Sequence, residues 1–273
     1  MTDLLPVHYL ELLLTAVIGG YLGSMINVVA TRFCELDDSK WWRAIFWPPQ
    51  HCEACGSRFQ PRDCIPVISW FMNRGRCQAC GTPLSIRHPI VELVMFVLTP
   101  LIFWLTGMHV LGTTVVIVFV CIIIILAITD AEDGFFPDTL LAISAGAGLL
   151  TSLLDFPSGP SEAMLGGLVA LAAFWVMAKL CHVWFGHECI FHGDIKIAGM
   201  IGVWMGLYSA IIAIFIAYGL AFIYGQAAAR TMKVSPALLA VRMGPFFATG
   251  CVATIVMTYS SILHPAKFFP FTP

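Results

Sequence analysis

Long runs of apolar residues dominate the chain and alternate with short polar stretches. The runs occur at about 9–31, 90–107, 110–129, 138–154, 162–184 and 243–263. One further stretch, 195–229, is apolar for longer than the roughly 20 residues that a single membrane-spanning helix needs. Gly206 is a natural break within it, giving a short helix and then a full one. The pattern therefore predicts an all-α polytopic membrane protein with about eight transmembrane helices.

The composition agrees with a membrane environment. Hydrophobic residues make up 59% of the 273 residues and charged residues only 11%, whereas soluble domains carry about a quarter charged residues. Membrane lipid is therefore the expected surrounding of most of the chain. The net charge of −2 is too small to indicate a nucleic-acid partner.

The polar segment from Arg32 to Arg87 is rich in Lys and Arg, and the residues before it contain neither. Positive residues favour the cytoplasmic side, so the N-terminus is expected in the periplasm and this segment in the cytoplasm. Alternate crossings from there bring Arg230, Lys233 and Arg242 to the cytoplasmic side as well. The predicted division is a first transmembrane helix at 1–31, a cytoplasmic domain at 32–89 and a transmembrane core at 90–273.

Four cysteines form two C-x-x-C pairs in the polar segment. Cys52 and Cys55 make one pair and Cys77 and Cys80 the other, and each pair is followed by glycine. Two such pairs about 20 residues apart are typical of a zinc ribbon, with four thiolates around one ion. The cytoplasm is reducing, which makes disulfides the weaker interpretation. Because four thiolates leave no open position, the predicted zinc stabilises a small zinc-ribbon-like domain between the first two transmembrane helices.

Two aspartates are candidates for chemistry at the cytoplasmic ends of helices. Asp130 follows an apolar run and Asp194 precedes one. Carboxylates in or near a bilayer are costly, which favours a functional role. Two such groups face to face can activate water as general base and general acid. Helix capping is the alternative for each, and Asp133 and Asp138 compete with Asp130, because spacing alone does not show which acids meet.

A catalytic metal is a further alternative near Asp194. The candidate ligands are His182, His187, Cys189 and His192. Their spacing fits no metal motif, and histidines at membrane interfaces are common.

Several short motifs, in a fixed order around the tetra-cysteine segment, resemble those of the prepilin peptidases, the bacterial type IV leader peptidases. They are Gly23-Ser24-Met25-Ile26-Asn27-Val28-Val29 with Arg32, Pro66-Val67-Ile68-Ser69-Trp70, Arg74-Gly75-Arg76-Cys77, Arg87-His88-Pro89-Ile90-Val91-Glu92-Leu93, the stretch Asp130 to Asp138, Gly193-Asp194-Ile195-Lys196, and Gly244-Pro245-Phe246. The resemblance implies an aspartic endopeptidase of the G-x-G-D class in the bacterial inner membrane, with Asp130 and Asp194 as its catalytic pair. Phe191 departs from the family pattern, since it stands where the first glycine of that motif is expected.

The resemblance also implies a substrate and a second activity. Family members cut type IV prepilins or secretion pseudopilins after a glycine that ends a short basic leader, on the cytoplasmic side. Many members with the cysteine domain N-methylate the new N-terminus with S-adenosylmethionine. The alternatives are a peptidase without methyltransferase activity and a non-enzymatic, zinc-stapled transporter or assembly scaffold. The sequence indicates neither a methyl-donor site nor an oligomeric state.

Overall fold

The computed structural model describes residues 5–35, 51–52, 54–59, 65–185, 190–233 and 241–260. Its helices are α1 (Leu5–Glu35), α2 (Ile68–Met72), α3 (Arg87–Leu105), α4 (Val110–Asp133), α5 (Asp138–Ser152), α6 (Pro160–Phe185), α7 (His192–Met232) and α8 (Gly244–Tyr259). Extended pairing in the described residues is confined to two isolated antiparallel bridges.

Each predicted apolar run forms a helix, and the predicted break within 195–229 is present. Helix α7 has 41 residues and loses helical geometry at Gly206, where φ is 70° and ψ is 174°. An L residue with a side chain rarely adopts this geometry, so glycine is what permits the break. Helices α1, α3, α4, α6 and α7 are long and apolar enough to cross a membrane. An all-α polytopic membrane protein is therefore confirmed.

Helices α5 and α8 are shorter than a full membrane crossing. They contain 15 and 16 residues, fewer than the roughly 20 that a perpendicular span needs. The predicted run at 243–263 extends past the end of α8, into residues outside the described part of the chain. The orientation derived from eight crossings therefore remains a prediction.

The chain forms two compact units, Met1–Thr113 and Thr114–Pro273. In the first unit, α1 packs along α3. A Cβ added at Gly23 would lie 2.6 Å from Cα of Glu92, so the helix backbones approach at a distance that only glycine allows. Small residues at such crossings are typical of helix packing in membranes.

In the second unit, α7 is the central helix and contacts α5, α6 and α8. Its Trp204 is buried and donates a hydrogen bond to the Ser144 carbonyl oxygen at 2.8 Å. The same indole N–H lies 3.0 Å from the Ser144 hydroxyl oxygen, and the ring stacks on Phe119 at 5.1 Å between centroids. These contacts hold the first half of α7 in place, and Asp194 lies in the first turn of this half.

Candidate functional site

Asp130 lies in the last turn of α4 and is buried, with 6% of its surface exposed. Its Oδ2 accepts a hydrogen bond of 2.7 Å from the backbone N–H of Gly244, at the start of α8. A Cβ added at Gly244 would lie 2.7 Å from Cβ of Asp130 and 3.0 Å from Cα of Ala127. The start of α8 therefore packs directly on Asp130 and holds one of its two oxygens.

Asp194 lies in the first turn of α7 and is equally buried. Its Oδ2 accepts the backbone N–H of Phe191 at 3.1 Å. The capping alternative is therefore partly right, because Asp194 does satisfy a free N–H at the helix start. The N-cap residue itself is Phe191, in an extended conformation with φ of −82° and ψ of 158°. Any L residue adopts this conformation, so Phe191 replaces the expected glycine without backbone strain.

The two aspartates come within electrostatic range of each other, although 63 residues of sequence lie between them. Asp130 and Asp194 lie close enough to repel each other when both are ionised. Repulsion between two buried carboxylates disfavours the state in which both are ionised. Such a pair provides a base that accepts a proton from water and an acid that donates one.

The loop after α4 and the first residue of α5 each contact the start of α7, close to this pair. The Phe136 ring packs on Gly193, where an added Cβ would lie 2.7 Å from the ring. Lys196 Nζ lies 2.7 Å from both carboxylate oxygens of Asp138. Lys196 thus pairs with Asp138 and not with an aspartate of the buried pair. These contacts help to hold Asp130 and Asp194 together.

Sequence reasoning did not find two further neighbours of the aspartates. The Arg242 guanidinium lies against Gly134 and near enough to Asp130 to act on its charge. Tyr218 lies within electrostatic range of Asp194. Its ring packs on Phe247 at 6.1 Å between centroids. Tyr218 carries no sequence signal because it stands inside a long apolar run, where aromatic residues usually serve packing.

The four cysteines of the polar segment converge. The sulfur atoms of Cys52, Cys55, Cys77 and Cys80 all lie within 4.8 Å of one another, and those of Cys52 and Cys80 are 3.8 Å apart. Zn–S bonds of about 2.3 Å in a tetrahedral site place sulfur atoms about 3.8 Å apart. The cluster therefore has the size that zinc requires.

The two C-x-x-C pairs adopt matching turns. The N–H of Gly56 bonds the Cys52 carbonyl oxygen at 2.8 Å, and the N–H of Gly81 bonds that of Cys77 at 2.9 Å. Both glycines have positive φ, 68° and 72°, which explains why glycine follows each pair.

The pKa values of two thiols in the cluster move in opposite directions: hydrogen bonding to the other cysteines, Cys80 above all, raises the pKa of Cys55 to about 11. Hydrogen bonding to Thr82 lowers the pKa of Cys80 to about 6, which favours the thiolate that binds zinc. Four thiolates close the coordination shell. The residues fit a structural zinc ion, and within the described residues this is the only group of three or more potential ligands. Of the alternative set, His187 and Cys189 lie outside the described residues.

Two family models match the chain, one in each compact unit. The Bacterial Peptidase A24 N-terminal domain matches residues 17–106, which include the four cysteines. The Type IV leader peptidase family matches residues 117–226, which include Asp130 and Asp194. No solved structure matches the chain.

Curated relatives are similar over most of the chain. A protein of Dickeya chrysanthemi is 30% identical over 217 residues, covering 71% of this chain and 75% of the relative. One of Neisseria gonorrhoeae is 26% identical over 275 residues, covering 93% and 91%. One of Pectobacterium carotovorum subsp. carotovorum is 25% identical over 258 residues, covering 88% and 91%. Each is named prepilin leader peptidase/N-methyltransferase, which confirms the resemblance, and the chain belongs to this family of type IV leader peptidases.

Proposed function

We propose that the chain is a membrane aspartic endopeptidase that removes the basic leader of type IV prepilins or pseudopilins, with Asp130 and Asp194 as its catalytic pair. The observation that carries this proposal is that two buried carboxylates, at the ends of separate helices, lie within electrostatic range of each other. Family membership favours this function over the transporter or scaffold alternative.

The reaction needs one ionised and one protonated aspartate. The ionised carboxylate takes a proton from water, and the water oxygen bonds the carbonyl carbon of the leader's last glycine. The protonated partner gives its proton to the carbonyl oxygen. When the carbon–nitrogen bond breaks, the departing nitrogen takes up a proton, and the leader keeps a carboxyl end. The Gly244 N–H occupies Oδ2 of Asp130, which leaves Oδ1 for the water.

The proposed orientation puts this reaction on the cytoplasmic side. The basic segment at 32–89 would be a cytoplasmic zinc-containing domain, and the N-terminus would be periplasmic. Cys52, Cys55, Cys77 and Cys80 would hold one zinc ion that stabilises this domain. Residues 90–273 would form the transmembrane core. The substrate's apolar helix would lie among these helices, with its basic leader in the cytoplasm.

We further propose that the chain N-methylates the new N-terminus, since the curated relatives carry both activities in their name. S-adenosylmethionine would supply the methyl group when bound.

The test is to incubate the purified protein, in detergent micelles or lipid vesicles, with a prepilin and to determine the new N-terminus by mass spectrometry. We expect one cut after the glycine that ends the leader. A prepilin in which this glycine is replaced by valine should remain uncut. A wild-type protein that is folded and leaves every prepilin and pseudopilin intact would contradict the proposal.

A further inference from the structure

The first compact unit contains a buried carboxylate that peptide hydrolysis does not use. Glu92 lies on α3 with 8% of its surface exposed. Its Oε2 accepts the backbone N–H of Val67 at 2.6 Å, and the Ser24 side chain lies close enough to affect its charge. Among the described residues no cation pairs with it, and the backbone N–H of Val67 does not neutralise its charge. Buried carboxylates are normally paired with a cation or protonated.

The loop that meets Glu92 is conformationally strained. Val67 has φ of 63°, in a region that a β-branched residue rarely occupies. Such strain persists only where the surroundings enforce it, and it is concentrated at functional sites. Here the 2.6 Å bond to Glu92 contributes to holding the strained residue in place. The carboxylate and the loop are therefore fixed relative to each other.

A second hydrogen-bond acceptor in the α1/α3 contact lies on α1, one helical turn after Gly23. Asn27 is almost completely buried and donates to the carbonyl oxygen of His88 at 3.2 Å. Its Oδ1 is buried without a hydrogen-bond partner in the described part of the chain. Gly23, one turn before Asn27, packs on the backbone of Glu92. The contact thus contains a carboxylate and, one helical turn along α1 from Gly23, an amide oxygen without a described partner, and both groups attract a cationic hydrogen-bond donor.

A primary ammonium group is the cation that fits such a surrounding, because it carries a positive charge and three N–H donors. Cleavage of a prepilin produces such a group on the new N-terminus. We propose that Glu92 binds this ammonium group and accepts a proton from it, preparing the nitrogen for methylation. The inference rests on the proposed function, and it gives the first unit a role in the second reaction.

The proton transfer is required by the chemistry. An α-amino group has a pKa of about 8 and is mostly protonated in the cytoplasm, and a protonated nitrogen has no lone pair. Transfer of one proton to the Glu92 carboxylate frees that pair. The nitrogen then bonds the methyl carbon of a sulfonium donor, whose carbon–sulfur bond breaks to leave a neutral thioether. The charge that the sulfonium loses passes to the methylated nitrogen.

The experiment uses the full-length protein and separates the two activities. Glu92→Gln keeps the size of the side chain and removes its charge. We expect cleavage within about 2-fold of wild type and methylation of the cut product at least about 10-fold slower. Glu11→Gln, an acid of the same unit that lies beside His8 at 3.5 Å, is the matched control and should leave both rates unchanged.

A binding measurement without any methyl donor supplies a second readout. A peptide with the sequence of the mature pilin N-terminus should bind Glu92→Gln at least about 10-fold more weakly than wild type. The same peptide with an acetylated N-terminus should bind both proteins equally. If Glu92→Gln destabilises the protein, Glu92→Gln with Val67→Gly relieves the left-handed strain and permits the same measurements.

The outcomes are distinct. Normal methylation by Glu92→Gln, or equal affinity of wild type and variant for the free-amine peptide, would overturn the inference and leave Glu92 as a structural contact to Val67. Failure of the wild-type protein to cut a prepilin would contradict the proposed function instead.

Discussion

Gly244→Ala tests whether the start of α8 positions Asp130. The added methyl group would lie 2.7 Å from Cβ of Asp130 and 3.0 Å from Cα of Ala127, well inside van der Waals contact. Overpacking of this kind lowers the free energy of unfolding by about 1–3 kcal/mol. The displacement would also lengthen the 2.7 Å bond from the Gly244 N–H to Oδ2. A hydrogen bond to a charged acceptor contributes about 1.5–3 kcal/mol.

The expected effect on cleavage is larger than the effect on stability. A shift of about 1 Å in a catalytic group can reduce a rate about 100-fold, so we expect kcat to fall by about that factor while the protein stays folded. The assay is prepilin cleavage, with thermal unfolding measured on the same sample. Gly146→Ala is the matched control, because an added Cβ there meets nothing within 4 Å. Cleavage by Gly244→Ala within about 2-fold of the control would refute this account of how Asp130 is held.

Three further changes follow from the contacts described. The double variant Asp138→Lys with Lys196→Asp exchanges the two charges and should restore any cleavage that either single variant loses. Because the pair is exposed, each single variant should lower the free energy of unfolding by less than about 1 kcal/mol. A double variant that cleaves no better than the single variants would contradict the pairing. Metal analysis should find about one zinc ion per chain in the wild-type protein and much less in Cys77→Ser, which should also unfold at a lower temperature than wild type. Full zinc content in Cys77→Ser would exclude Cys77 as a ligand. Trp204→Phe should destabilise the protein by about 1–3 kcal/mol through loss of its bonds to Ser144, and an unchanged unfolding curve would contradict that.

The helices and the cysteine cluster were predictable because their signals are local. Twenty consecutive apolar residues specify a membrane helix whatever their neighbours are, and the C-x-x-C-Gly spacing specifies its own turn. The break at Gly206 was predictable for the same reason, since glycine is the residue that permits its backbone geometry.

The partners of the aspartates were not predictable from local pattern. Asp130 is held by an N–H that stands 114 residues away, at Gly244, and nothing in either segment encodes that pairing. Lys196 stands two residues after Asp194 in the sequence, but its partner is Asp138, at the start of α5. Glu92 lay within a motif of the resemblance, yet only the packing of α1 on α3 shows that it is buried. Long-range contacts of this kind depend on tertiary packing, which composition and periodicity do not specify.

The central claim is that Asp130 and Asp194 together perform the hydrolysis. The most direct measurement is single-turnover cleavage of a prepilin by Asp130→Asn and by Asp194→Asn, with Asp133→Asn as the control because Asp133 is an exposed neighbour of the pair. We predict a loss of at least about 1,000-fold in each of the first two variants. The control should stay within about 2-fold of wild type, and all three proteins should accumulate in the membrane. Wild-type cleavage by either Asp130→Asn or Asp194→Asn would contradict the account.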